Sequence, residues 1–455
     1  MMSNHTQTVF QEWVTPDSFL PQSVSEERQA VLSQPPYAEK KQIAGKTIIQ
    51  WLPQNACDVA DFLNLATQKK QAVSPDCCVA LSCEDTAFLG LSKLNQVQGL
   101  HLADTAVTVG TGMCWGDLQS ELAKADRWIP LSYPPDQTVL EIVANDLPAL
   151  ETGNALYPGG YPRDYILGVE LATTDGRLSR YGGLVVKNAT GYDLNKLYTG
   201  SGHCFGVLTA VTFKIFTKPK ATLMLKIPIK DLEASEALIK SIQAERLSLQ
   251  CFQIALNMRQ PEAGFLLLEL AGHYPDLLEV DKSCLQKRLS EHATAYDVID
   301  SAHVWQLEPF SLYPDNRLIP DLRQNLTIEM AYNVKTPHDL PEYYWHQQLK
   351  AQLPDGNMPC WIVFSPMARL ATLIWQSEVI ARDYERTHLK AGLLALHQAL
   401  RGDNADGLPE GFLRFQTFSQ ALGPALDFSL QQGAFFEKAL RACFDPAGIL
   451  TGRRV

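Results

Sequence analysis

At 455 residues, 46% of them apolar and 20% charged, the chain is long enough to bury more than one core and too apolar for wholesale disorder. A net charge of −11 with no basic stripe excludes the clustered Lys and Arg that a nucleic-acid partner requires. No run approaches the ~18 consecutive apolar residues of a spanning helix, and residues 1–14 lack the apolar stretch of a secretory signal, so a cytoplasmic location is expected.

In chain order, residues 1–44 are polar and read as an N-terminal arm. Residues 47–52 predict a strand that stops at Pro53. Residues 58–70 predict a helix with Val59, Phe62, Leu63 and Ala66 on one face and Asn55 as its N-cap. A short strand is expected at 79–81 and another at 105–109, which ends on Gly110 and Gly112. Trp115, Leu118 and Leu122 then share the face of a short helix, and the stretch to Tyr157 is poorly patterned. Residues 166–173 and 178–181 flank Asp175-Gly176 as a hairpin, and 207–216 is a long strand.

A second unit begins near Thr222. Strand 222–229, a helix carrying Leu232, Leu238, Ile239 and Ile242, strands 252–256 and 264–270, and a helix carrying Leu278, Leu285 and Leu289 follow in turn. That order suits a β-α-β-β-α-β unit. Residues 361–365 and 412–417 predict further strands, and no internal repeat is visible. The domain reading is therefore 1–44 arm, 45–218 first domain, 222–425 second domain and 426–455 a closing segment.

The ten cysteines include Cys77, Cys78 and Cys83, whose spacing matches neither a zinc nor an iron–sulfur pattern, so no metal is expected. His388 and His397 do not share a helical face. His273 is read as a strand-to-helix turn residue. His203 suits either facing a ligand or a hydrogen-bonded structural role.

The segments that carry chemistry lie between residues 159 and 208. Gly159-Gly160 precedes Tyr161-Pro162-Arg163-Asp164. Gly182-Gly183 leads into Lys187-Asn188-Ala189-Thr190-Gly191-Tyr192-Asp193, and Gly200-Ser201 precedes Gly206-Val207-Leu208. Glycines recur where a backbone turns or approaches a partner closely, and amides in such turns can cradle a phosphate or a flavin edge. Spacing alone is better served by hairpin turns in a sheet.

The run 182–215 resembles the FAD-binding small subunit of glycolate oxidase (the GlcE type), in the vanillyl-alcohol-oxidase-like (PCMH-type) FAD-binding superfamily. Residues 103–122, the hairpin 176–183 and Phe444-Asp445-Pro446-Ala447-Gly448-Ile449-Leu450 are similar to further motifs of that family, in the same order. The resemblance implies an α+β fold: a two-lobed FAD-binding domain with a ferredoxin-like cap domain, and FAD held non-covalently. Carried over by position, the cofactor contacts are Thr138, Gly159, Arg163, Asp164, Lys187, Asn188, Gly200, Ser201, Gly206, Val207 and Leu208. It also implies an oxidoreductase subunit relaying electrons in a complex that oxidises a small 2-hydroxy acid, beside a catalytic flavoprotein subunit and an iron–sulfur subunit. Two loops depart from the family. Residues 73–83 hold no glycine, and Thr138-Val139-Leu140-Glu141 stands where the family has Thr-hydrophobic-Gly-Gly. A flavin-free scaffold is thus the alternative, and a self-sufficient oxidoreductase a third reading. No acid/base set for a substrate hydroxyl is recognisable.

Overall fold

A computed structural model describes residues 24–34, 37–43, 46–75, 86–147, 149, 160–184, 193–230, 232–300, 304, 306–307, 326–332, 341–353, 359–366, 370–375, 411–415, 444–445 and 447–450. The expected strand at 79–81, Cys77, Cys78, Cys83, His388 and His397 lie outside these residues. The elements run α1 (Glu26–Leu32), β1 (Ala38–Ile43), β2 (Lys46–Trp51), α2 (Ala56–Lys69), β3 (Val73–Ser74), β4 (Ala87–Leu89), β5 (Val97–His101), β6 (Ala106–Gly110), α3 (Trp115–Ala123), β7 (Arg127–Trp128), α4 (Val139–Asn145), β8 (Ile166–Ala172), β9 (Leu178–Gly182), α5 (Asn195–Tyr198), β10 (Val207–Lys214) and β11 (Phe216–Thr217). They continue as β12 (Ala221–Pro228), α6 (Glu236–Ala244), β13 (Leu249–Asn257), β14 (Phe265–Gly272), α7 (Pro275–Glu291), β15 (Asp297–Ile299), β16 (Leu326–Tyr332), α8 (Pro341–Gln352), β17 (Trp361–Ser365), β18 (Leu370–Trp375) and β19 (Gly411–Phe415).

Two sheets enclose the first core. One has the order β1-β2-β4-β3 and the other β5-β6-β10-β8-β9. Helix α2 forms where its sequence says it should: the Asn55 side chain accepts from the Asp58 amide, and Lys70 closes the other end in the left-handed region. Its Val59, Phe62, Leu63 and Ala66 are fully buried, as expected from their spacing, and each large one contributes about 1.5–3 kcal/mol of apolar burial. Trp51 of β2 stacks on Phe62 at 4.7 Å. Residues read as part of a loose arm are partly ordered against this helix: Arg28 of α1 ion-pairs with Asp58 and Asp61, and Leu32 is buried.

Strand β10 lies between β6 and β8, antiparallel to both, with register shifts at Leu208/Ala210 and Thr212/Phe213. A central strand covered on both faces needs no polar alternation, which is why residues 207–211 are all buried. From the far end of the chain, Ile449 and Leu450 enter the same core. The Val73 amide donates to the Ile449 carbonyl at 2.7 Å, and Thr174 Oγ1 donates to the Phe444 carbonyl at 2.9 Å.

Strands β7 and β11 pair with each other, and β12 to β19 form one eight-stranded sheet, β15-β12-β14-β13-β17-β18-β16-β19. Its first half, β12-α6-β13-β14-α7-β15, has the 4-1-3-2 strand order of a ferredoxin-like unit, as the order of elements predicts. The second half repeats that order. Strands β16, β17, β18 and β19 are again arranged 2-3-1-4 outward from the centre, with α8 between the first two, and the halves join edge to edge through antiparallel β13 and β17. This topological repeat leaves no trace in the sequence, because a strand order constrains burial periodicity and not residue identity. Among the described residues no helix is long and apolar enough to cross a membrane, and no group of three or more His, Cys, Asp or Glu side chains could hold a metal ion.

Candidate functional site

Helix α4 organises the site. Thr138 is its N-cap: Thr138 Oγ1 accepts from the Glu141 amide at 3.3 Å, and the Thr138 amide donates to Glu141 Oε2 at 2.9 Å. Both bonds of a capping box are present. The next amides are also engaged: Val139 donates to the Met113 carbonyl at 2.9 Å, Leu140 to the Thr111 carbonyl at 2.8 Å, and Ile142 to the Thr138 carbonyl at 3.1 Å. The Thr111 hydroxyl in turn donates to the Leu208 carbonyl at 2.8 Å, tying the start of β10 to the start of α4.

The other end of α4 is closed by loop 199–206. The Gly200 amide donates to the Val143 carbonyl at 3.0 Å and the Gly202 amide to the Ala144 carbonyl at 2.8 Å. Asp146 follows in the left-handed region. Its carboxylate, 2% exposed, ion-pairs with Arg163, which is 43% exposed, and also accepts from the Arg163 amide at 3.3 Å. The Arg163 guanidinium lies over the Tyr161 ring at 4.8 Å. Burial raises the Asp164 carboxyl above its ordinary range, against the pull of Arg163. Ser201 Oγ donates to the Tyr198 carbonyl at 2.8 Å. At Gly206, φ is +138°, and a Cβ would lie 2.5 Å from Leu171 Cδ1, so a side chain is excluded there.

Thus Thr138, Arg163, Asp164, Gly200, Ser201, Gly206, Val207 and Leu208 come together at and around the two ends of one helix about 10 Å long. Gly159, Lys187 and Asn188 lie outside the described residues. His273 sits in the turn between β14 and α7, as read from the sequence.

Sequence reasoning passed over Glu170 and Tyr198 here and left His203 between two roles. Glu170 of β8, 7% exposed, accepts from Thr209 Oγ1 at 2.9 Å and ion-pairs with Arg180 at 2.5 Å. Tyr198 stacks on Tyr181 with centroids 5.1 Å apart, and burial together with the Tyr181 hydroxyl raises the Tyr198 phenol. His203 is 4% exposed with φ +68°. Among the described residues neither of its ring nitrogens has a hydrogen-bond partner, and burial lowers its pKa to about 4. The structure therefore gives the ring no structural hydrogen bond. A buried polar group left so costs about 1–3 kcal/mol.

Residues 51–182 match the family model described as an FAD binding domain. Over 210 residues the chain is 40% identical to glycolate oxidase subunit GlcE of Escherichia coli (strain K12), covering 43% of this chain and 58% of that protein. It is 26% identical over 203 residues to a D-lactate dehydrogenase of Anaerostipes hadrus and 23% identical over 203 residues to glycolate oxidase subunit GlcD of Bacillus subtilis (strain 168), covering 43% of this chain and 42% of the relative in each case. The chain thus spans less than two thirds of the length of these relatives. An alkyldihydroxyacetonephosphate synthase superposes with TM-score 0.62 at 10% identity, over 100% of this chain and 86% of its own. A chitooligosaccharide oxidase does so with TM-score 0.57 at 12% identity, over 88% and 90%. These two likenesses concern the fold alone.

The match is to an FAD binding domain, so FAD is the cofactor that the residues have to fit. The described residues fit it unevenly. The loop at His203 carries two buried nitrogens without a partner, as a site for a polar group requires. The start of α4 offers no free amide, since Thr138 to Ile142 all donate within the chain. Residues 51–182 thus match an FAD binding domain, and over 210 residues the chain is similar to the GlcE subunit.

Proposed function

We propose that the chain is a cytoplasmic FAD-containing oxidoreductase subunit that relays electrons in a complex oxidising a small 2-hydroxy acid. A catalytic flavoprotein and an iron–sulfur protein are its expected partners. The observation that carries this reading is the 40% identity to GlcE over 210 residues, beside an FAD binding domain match at 51–182 that spans α4. Glycolate is the first substrate to try, because that relative's name specifies it.

Bound FAD supplies a two-electron acceptor. The chain's own contribution is to bind and orient it. We assign its contacts to Thr138, Gly159, Arg163, Asp164, Lys187, Asn188, Gly200, Ser201, Gly206, Val207 and Leu208. Gly206 lets the backbone pass where a side chain has no room, and the Asp146–Arg163 pair fixes the turn that carries Asp164. No residue of this chain is assigned as base for a substrate hydroxyl; that role falls to the catalytic partner.

The test is an absorption spectrum of the purified chain, followed by co-purification with the two partner subunits. Oxidised-flavin bands and a three-protein complex are expected. A colourless chain that added FAD does not tint would end the cofactor part. Glycolate turnover by the isolated chain with an artificial acceptor would overturn the division of labour.

A further inference from the structure

Within loop 199–206 the backbone takes positive φ at four positions: Gly200 (+77°), Gly202 (+56°), His203 (+68°) and Gly206 (+138°). Three are glycine, for which that conformation is free of strain. The fourth is an imidazole, held in a conformation that costs an L-residue free energy. The same side chain is 4% exposed, and both nitrogens are unpartnered among the described residues. Backbone strain and an unsatisfied buried ring at one position are two independent penalties, and a glycine would remove both. Their persistence points to a partner that is not part of the chain.

The chemistry of that partner follows from the ring. A buried imidazole is neutral, so it offers one N–H donor and one acceptor nitrogen. A diphosphate presents acceptors only and prefers cations. A heteroaromatic edge, with N–H and C=O or ring nitrogen side by side, answers both. We propose that His203 is an FAD-binding residue, its neutral ring hydrogen-bonding a heteroaromatic edge of the bound cofactor. The proposal rests on the FAD reading and goes beyond it in naming this residue and the part of the cofactor it meets. Asn195, at the start of α5, is 9% exposed, and its Oδ1 is unpartnered among the described residues.

Full-length chain stripped of flavin is titrated with FAD by flavin fluorescence, for wild type, His203→Gly and His203→Asn, and each apoprotein is melted. His203→Gly should weaken FAD about tenfold while leaving the apoprotein melting temperature equal or higher, because strain and an orphaned ring are both relieved. His203→Asn, which tolerates the left-handed backbone and keeps a donor and an acceptor, should recover part of the affinity. Inorganic pyrophosphate should bind wild type and His203→Gly alike.

Unchanged FAD affinity in His203→Gly would overturn the proposal and leave the cofactor reading intact. So would a lowered apoprotein melting temperature with no loss of affinity, the mark of a side chain that only packs. A loss confined to pyrophosphate would overturn the heteroaromatic assignment. A wild-type chain that takes up no FAD would remove the cofactor reading and this proposal together.

Discussion

The Asp146–Arg163 pair should behave asymmetrically when broken. Asp146 is 2% exposed and Arg163 43%, so the two partners face different media. In Arg163→Ala the carboxylate stays buried without its cation. Stranding one member of a buried pair costs about 3–5 kcal/mol, and water on the arginine side favours the lower figure. In Asp146→Asn the guanidinium returns to solvent, the side-chain oxygen still accepts from the Arg163 amide, and Asn tolerates φ +46°, for a cost of about 1 kcal/mol. The double variant should resemble Asp146→Asn. In a domain of this size about 3 kcal/mol corresponds to roughly 6–12 °C in melting temperature, within reach of a thermal melt on the flavin-free chain. A double variant no more stable than Arg163→Ala would refute the claim that the carboxylate is what suffers.

Three other outcomes are expected. Thr138→Ala should cost the first domain about 1 kcal/mol by opening the capping box, and Thr138→Gly only a few tenths, as read by urea midpoints. Gly112→Ala would place a Cβ 1.8 Å from the Leu91 carbonyl oxygen, whereas Gly183→Ala meets nothing within 4 Å; the first should lose about 3 kcal/mol and the second express and melt like wild type. Because burial holds the His203 pKa near 4, below the ordinary 6.5, the unfolded chain binds the extra proton between those values. Its contribution to stability is complete above pH 6.5 and declines as pH falls toward 4, by up to about 1.4 kcal/mol per pH unit. Urea midpoints at about pH 7 and about pH 5 should therefore differ less in His203→Gly than in wild type.

Local signals made most of the fold legible. Asn55 before the 3.6-residue stripe of α2, the Asp175-Gly176 turn, and the spacing of the apolar runs of β12 to α7 each depend on neighbours in sequence, and each element stands where it was expected. Helix α4 was missed, although Thr138-x-x-Glu141 ahead of Ile142-Val143 is a capping box in plain view. Reading the segment as a degraded glycine loop obscured it. The site was legible only in part, because its geometry is long-range. Nothing in the sequence couples Thr111 to Leu208 or Asp146 to Arg163. The burial of His203 depends on three glycines that let the loop fold onto the end of α4.

The strand bridge from Val73 to Leu450 has a consequence for the order in which the molecule is made. The amino-terminal core lacks Ile449 and Leu450 until the ribosome has finished the whole second sheet. The nascent first domain must wait with an uncovered apolar cleft for nearly the full length of translation. Nonsense changes between β19 and Ile449 should give a flavin-poor, chaperone-dependent product, even though every residue around α4 has already been synthesised.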